Sequence, residues 1–273
     1  MIKTVKHLCY SLRSSKEELS FIVANVDTHY YCAKQPKKKY GEVQREKDGR
    51  IRYRDLYPSK GKLKKIQERI NKILQEIKLP EYAYGSVKQK SNILNALKHQ
   101  GNIHVLSIDL KNFFPNISHD KVFEMYMRYG FSPTIAHILT KLTTYCGGLP
   151  QGSPCSSTIA NLVFAKTGNR LSEIAAKANL SFTTFLDDIT FSSKKDFKCL
   201  VPEILQTIKS DGFYLNHKKI TYTDKKIEIT GIRLNSNRLT VNSIIRKRAE
   251  KNIYIKQYLN RVETAVSSHI EQK

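Results

Sequence analysis

At 273 residues the chain can bury a sizeable core, and 40% hydrophobic residues without a low-complexity stretch exclude disorder as its default state despite 26% charged residues. Forty-seven Lys and Arg against 24 Asp and Glu leave a formal net charge of +23, which points to polyanionic partners. Five cysteines, Cys9, Cys32, Cys146, Cys155 and Cys199, form no Cys-x-x-Cys pair and have no His at metal spacing, so neither a zinc site nor a disulfide framework is signalled.

One compact unit with a small appendage is expected. No apolar run reaches about 18 residues and the N-terminus lacks an apolar leader, so a cytoplasmic location and no membrane partner are expected. Basic residues concentrate at 34–72, 194–226 and 246–256, which suggests a lined groove; a generally solvated basic surface or a ribosomal-type protein would look the same by charge alone.

Residues 1–33 carry Leu8, Leu12, Leu19, Ile22 and Val23 near helical spacing, with a helix start at Ser14-Ser15-Lys16-Glu17-Glu18. Gly punctuation and alternation over 37–54 predict a loose hairpin. Leu63, Ile66, Ile70, Ile73, Leu74 and Ile77 repeat on one face of an amphipathic helix. A strand over 104–110 ends near Asp109, and helices follow over 118–129 and 134–144. The double break Gly147-Gly148-Leu149-Pro150-Gln151-Gly152-Ser153-Pro154 precedes a long helix over 156–178. Short β runs at 182–185 and 189–192 flank Leu186-Asp187-Asp188 and read as a hairpin with carboxylates at its tip. An amphipathic helix at 200–210, a β pair from 227–232 and 238–241 around Asn235-Ser236-Asn237, and a basic helix over 243–262 complete an α+β order without a βαβ repeat.

Asp109 and the pair Asp187-Asp188 are the residues best suited to chemistry. Nucleotidyl transfer uses two divalent cations held by clustered carboxylates on rigid elements, and two neighbouring strands could bring these three together. Alone, an Asp-Asp pair at a turn is ordinary turn chemistry. The further motifs in fixed order decide between the two.

Over roughly residues 30–245 the sequence resembles reverse transcriptases. Asp109-Leu110-Lys111-Asn112-Phe113-Phe114 is similar to the first palm motif, Leu149-Pro150-Gln151-Gly152-Ser153-Pro154 to the template-and-nucleotide motif, and Phe185-Leu186-Asp187-Asp188 to the Tyr-x-Asp-Asp hairpin. The departure is Phe185-Leu186 where the family has Tyr-Ala, which keeps the bulk and loses a hydroxyl. The resemblance implies a right-hand polymerase fold: an N-terminal helical lead-in at 1–33, fingers at 34–103, a palm with antiparallel sheet at 104–232, and a short helical thumb at 233–273.

It further implies Asp109, Asp187 and Asp188 as catalytic metal ligands for two Mg2+, with Mn2+ a possible substitute. Phe114 matches the aromatic gate that leaves no room for a ribose 2′ hydroxyl, although one of Phe113 and Phe114 is expected to be plain core. Gln151 and Gly152 would lie beside the templating pair, either Arg52 or Arg54 on the triphosphate, and Lys219, in Asn216-His217-Lys218-Lys219, near the leaving pyrophosphate or in a solvated charge cluster.

Two more matches, Asn95-Ala96-Leu97-Lys98-His99 to Asn-Ala-x-x-His and Ile229-Thr230-Gly231 to Val-Thr-Gly, resemble the retron type found in bacteria. They imply Asn95, His99, Thr230 and Gly231 as RNA-site or supporting residues; a satisfied helical polar pair and a β-turn are the plain alternatives. Arg246, Lys247, Arg248 and Lys251 suit a helix that tracks phosphates. The implied activity is RNA-directed DNA synthesis from deoxynucleoside triphosphates on a dedicated structured noncoding RNA, giving a branched RNA-DNA product, in antiphage defence with a separate effector protein. The alternatives are another bacterial reverse transcriptase of the group II intron type, or an RNA-binding scaffold whose polymerase site is idle.

Overall fold

The computed structural model describes residues 2–225, 227–235 and 238–265. In chain order its elements are α1 (Val5–Leu12), α2 (Lys16–Ala24), β1 (Ala33–Pro36), β2 (Lys38–Lys39), β3 (Glu42–Val43), β4 (Tyr53–Leu56), α3 (Gly61–Leu74), α4 (Asn92–Leu97), β5 (His104–Asp109), α5 (His119–Arg128), α6 (Pro133–Thr143) and α7 (Ser156–Lys177). There follow β6 (Ser181–Phe185), β7 (Asp188–Ser193), α8 (Val201–Ser210), β8 (Thr221–Thr223), β9 (Glu228–Ile229), β10 (Ile232–Leu234), β11 (Leu239–Val241), α9 (Ser243–Ala249) and α10 (Ile253–Thr264). They form two compact units, one from residues 2–37, 45–79 and 112–166, the other from 38–44, 80–111 and the described residues from 167 onward.

The first unit is mainly helical. The helix start expected at Ser15 is present: its hydroxyl accepts from Glu18 N at 3.1 Å while Ser14 Oγ donates to the Glu18 carboxylate at 2.7 Å. The lead-in is two helices, α1 closing where Arg13 turns left-handed at φ 46° and α2 beginning at that start. Leu63, Ile66, Ile70 and Leu74 of α3 are buried with Leu8, Leu12, Leu19, Ile22, Ile135 and Leu139 of α1, α2 and α6, so one apolar stripe organises the bundle. The loose hairpin resolves into two pairs: β1 against β4, and the small β2–β3 hairpin, which belongs to the second unit.

The second unit holds a fully antiparallel sheet in the order β6-β7-β5-β8. Val105, Leu106, Ile108, Phe182, Ile189 and Phe191 are buried in it, with Phe182 and Phe191 stacked at 4.6 Å between centroids. Its register places Asp109 opposite Asp188 at one end. A smaller sheet, β11-β10-β9, packs with α4 and α10 around Ala96, Ile232, Leu239, Val241 and Val262. The β run expected over 227–232 is broken at Thr230 and Gly231, whose φ values of 47° and 83° turn the chain between β9 and β10. The basic helix over 243–262 is likewise two helices, α10 starting afresh where Asn252 Oδ1 accepts from Tyr254 N and Ile255 N. Ser236 and Asn237, in the turn expected between the last strands, lie outside the described residues.

Candidate active site

β5 delivers Asp109 at its last position, and the β6–β7 hairpin turns through a two-residue loop, Leu186-Asp187. Leu186 has φ 57°, a conformation in which a hairpin loop usually carries Gly or Asn. Leu110 N donates to Asp187 O at 2.9 Å, tying the hairpin tip to the end of β5, so all three carboxylates sit at one end of one sheet. Asp109 is the most engaged: Asn216 Nδ2 donates to its Oδ2 at 3.0 Å and Lys219 Nζ to its Oδ1 at 2.5 Å. Although Asp188 reaches solvent, its carboxyl is pushed up to about 7 by burial against the surrounding chain, then by the Asp187 and Asp109 carboxylates, with Lys219 opposing.

That repulsion is what a bound cation relieves, and carboxylate oxygens are the hard donors that Mg2+ and Mn2+ take. The donor set therefore fits divalent metal. Among the described residues the carboxylates are gathered without closing into a cage of three or more metal-ligating side chains; Lys219 supplies the positive charge on Asp109.

Arg52, Arg54, Phe114, Gln151 and Gly152 belong to the first unit. Arg54 lies on β4 and is exposed, whereas Arg52, just before it, is paired with Glu46 at 3.1 Å. Phe113 is buried and meets Phe114 edge-on at 5.6 Å, leaving Phe114 the half-exposed ring of the two. Gln151 O accepts from Tyr57 N at 2.7 Å, which seats the loop against the end of β4, and Gly152 needs its glycine for φ 106°.

A residue that sequence reasoning missed holds that loop. Gln67 of α3 is fully buried and satisfies all four of its bonding positions, donating to Tyr30 Oη (2.7 Å) and Leu142 O (2.8 Å) and accepting from Ser59 Oγ (2.6 Å) and Ser153 Oγ (2.7 Å). The only signal was an amide among charged residues on an amphipathic helix.

The two retron-type motifs meet in the second unit. Asn95 Nδ2 donates to Thr230 Oγ1 at 3.4 Å, Thr230 Oγ1 donates to Asn92 O at 3.5 Å, and Asn92 Nδ2 reaches Tyr258 Oη at 2.8 Å. Asn95 and His99 both have buried side chains, at 1% and 0% exposure, which fits the supporting half of their expected role rather than direct contact with RNA. His99 bridges Ser192 Oγ on β7 and Thr183 Oγ1 on β6, each at 2.7 Å, and burial lowers its pKa to about 3, so it is a neutral core residue beside the strands of the β6–β7 hairpin. Thr230 and Gly231 remain half-exposed at their turn. Of the basic set, Lys247 and Lys251 are exposed, Arg246 is paired with Glu263 at 2.8 Å, and half-buried Arg248 donates to Tyr40 O.

An antiparallel sheet that brings one strand-end aspartate against an Asp-Asp hairpin is the palm of a right-hand polymerase. Residues 37–234 match the family described as reverse transcriptase (RNA-dependent DNA polymerase), and the chain belongs to that family, in its retron type. It is 32% identical over 247 residues to the retron Se72 reverse transcriptase of Salmonella heidelberg, covering 89% of this chain and 62% of that one. It is 29% identical to the retron Ec86 reverse transcriptase of Escherichia coli (81% and 68% covered) and 30% identical to the retron Ec48 enzyme of the same species (97% and 68% covered). The telomerase of Candida albicans, solved with a fragment of telomeric RNA, shares the fold alone: TM-score 0.55 at 10% identity, covering 84% of this chain and 51% of that one. No helix among the described residues is long and apolar enough to cross a membrane.

Proposed function

We propose that this chain is an RNA-directed DNA polymerase that copies a dedicated structured noncoding RNA into single-stranded DNA, primed from a 2′ hydroxyl of a guanosine in that RNA and leaving a branched RNA-DNA hybrid. The observation that carries the reading is the meeting of Asp109, Asp187 and Asp188 at one end of the β5–β7 sheet, with Lys219 and Asn216 holding Asp109. In this reading Asp109 and Asp187 hold two Mg2+, with Asp188 supporting the second. Bound there, the ions would lower the pKa of the primer hydroxyl and neutralise the triphosphate.

The chain's own residues do the rest. Arg54, exposed on β4, takes the triphosphate, with Arg52 engaged by Glu46. Phe114 closes on the sugar C2′, and Gln151-Gly152 flank the templating pair. Lys219 leaves Asp109 for the departing pyrophosphate once that carboxylate is neutralised otherwise. Residues 34–103 act as fingers, 104–232 as palm and 233–273 as thumb, behind the lead-in at 1–33. Lys247 and Lys251 track phosphates, and Asn95, His99, Thr230 and Gly231 support the surface that the cognate RNA meets. Kinship with retrons supports a cytoplasmic bacterial location and antiphage defence with a separate effector protein.

The test is to express the chain with its flanking noncoding DNA, purify it, and treat the bound nucleic acid with RNase, DNase and debranching enzyme. A short DNA that shifts only after RNase or debranching is expected, and Asp187→Asn with Asp188→Asn should abolish it while RNA still copurifies. RNA without DNA in the unaltered chain, at any magnesium concentration, would leave an RNA-binding scaffold instead.

A further inference from the structure

Beside the catalytic hairpin runs a segment with no assigned role. Ala83 bridges Thr184 of β6 in parallel, Tyr84 N donates to Thr184 O and Thr184 N donates to Tyr82 O, both at 2.8 Å. Residues 82–84 thus extend the antiparallel sheet by one short parallel edge, on the strand that leads into Leu186-Asp187-Asp188. The lower end of this edge is anchored on α7. Tyr82 Oη donates to Asn169 Oδ1 at 2.8 Å, its ring tilts against Phe182 at 4.9 Å, and it lies so close over Gly168 that a Cβ there would come within 2.4 Å of the hydroxyl. Its flank is pinned by Lys90, which donates to Glu81 O and sits 4.5 Å over the Tyr84 ring.

The upper end is Gly85, which is buried. A Cβ on it would lie 2.6 Å from Leu186 N, 2.8 Å from Phe185 C and 2.9 Å from Leu186 Cγ. Its φ is not in the left-handed region, so the glycine answers a demand for space. The two nearest atoms belong to the Phe185–Leu186 peptide, which cannot rotate aside as a side-chain end can. That peptide leads into Asp187, and Leu186 already occupies an uncommon φ of 57°.

We propose that residues 82–85 are a positioning brace for the metal-binding aspartates, and that Gly85 sets the height of the hairpin tip by admitting the Phe185–Leu186 peptide against its bare Cα. The inference rests on the reading of Asp187 and Asp188 as metal ligands and adds a determinant outside the catalytic motifs named above. Gly85 acts through the hairpin and touches no substrate. An added methyl moves the tip and its carboxylates, and a displacement near 1 Å at a reacting centre costs about 100-fold in rate.

The test uses the full chain on an RNA template with a DNA primer. For Gly85→Ala, kcat for nucleotide addition should fall about 10- to 100-fold while KM for the nucleotide and Kd for primer-template stay within about twofold. Calorimetric titration of Mn2+ into the protein without nucleotide should show weakened binding, which a merely structural lesion elsewhere would not produce. Leu186→Ala should not rescue Gly85→Ala, because the backbone contacts to Leu186 N and Phe185 C persist; a full rescue would overturn the brace. Should Gly85→Ala fail to fold, Tyr82→Ala at the anchored end decides: lower kcat and weaker Mn2+ binding at unchanged KM support the brace. Unchanged kcat and Mn2+ binding in a folded Gly85→Ala, or in Tyr82→Ala where the former does not fold, overturn it. Asp187→Asn run alongside separates the two readings, since an active Asp187→Asn would remove the metal site itself.

Discussion

His99 is a core imidazole of the second unit, and its burial makes the stability of the protein depend on pH. Its place four residues after Asn95 marks the retron type, but spacing cannot tell whether an imidazole faces a ligand or a core. Here it closes a polar bridge between β6 and β7 with both ring nitrogens engaged. The pH consequence follows from linkage. The folded-state pKa is about 3 against the usual 6.5, so the unfolded chain binds the extra proton between those values. The stability is intact above pH 6.5 and is lost as pH falls toward 3, with a slope of up to about 1.4 kcal/mol per pH unit. Urea unfolding at pH 7 and at pH 5.5 should therefore show a loss that His99→Gln largely removes; an equal loss in both proteins would place the acid sensitivity elsewhere. Asp109, Asp187 and Asp188 stand in motifs whose order along the chain is itself information, whereas Gln67 stands in none.

Elements whose ends are written in local chemistry were readable, as with Ser15 capping α2 through Glu18 N. The apolar stripe of α3 was readable for the same reason, its period being a property of the segment alone. The run at 227–232 was readable only as a choice between a strand and the β-turn at Thr230-Gly231, because nothing in Ile-Glu-Ile-Thr-Gly-Ile announces that the threonine itself takes φ 47°. A β-branched residue there costs about 1 kcal/mol, and the hydrogen bonds of Thr230 Oγ1 to Asn95 and Asn92 return about as much. Thr230→Ala keeps the strained backbone and loses the bonds, so it should destabilise by about 1 kcal/mol. Thr230→Gly loses the bonds and relieves the strain, and should lie near zero. Chemical denaturation of the two variants measures the difference, and hydrogen exchange at α4 should quicken in both, since each loses the bonds of Thr230 Oγ1 to Asn92 and Asn95. The 82–85 edge was hidden for another reason: two residues of pairing leave no periodicity, and their partner strand lies far along the chain.

Across the whole molecule, composition spoke plainly about charge and was silent about how the chain is shared between units. Residues 38–44 leave the first unit for the second, where Tyr40 Oη donates to Glu228 and Tyr40 O accepts from Arg248. A reading in contiguous segments has no means of finding such an exchange, since it is fixed by partners about 200 positions away. It also divides the basic residues into kinds that the net charge of +23 merges. Binding to a structured RNA, followed by fluorescence anisotropy between 50 and 200 mM KCl, should weaken by about 10³, as expected when several phosphates are neutralised. Lys247→Gln and Lys251→Gln, both at exposed positions, should each lower the slope of log K against log salt by about 1 without changing stability. Arg248→Gln should do the reverse, leaving the slope nearly unchanged and lowering the unfolding midpoint, because its guanidinium is spent on Tyr40 O. A slope lowered equally by all three would mean that Arg248 exchanges its carbonyl for phosphate when RNA arrives, and that the β2–β3 hairpin is released in the same event.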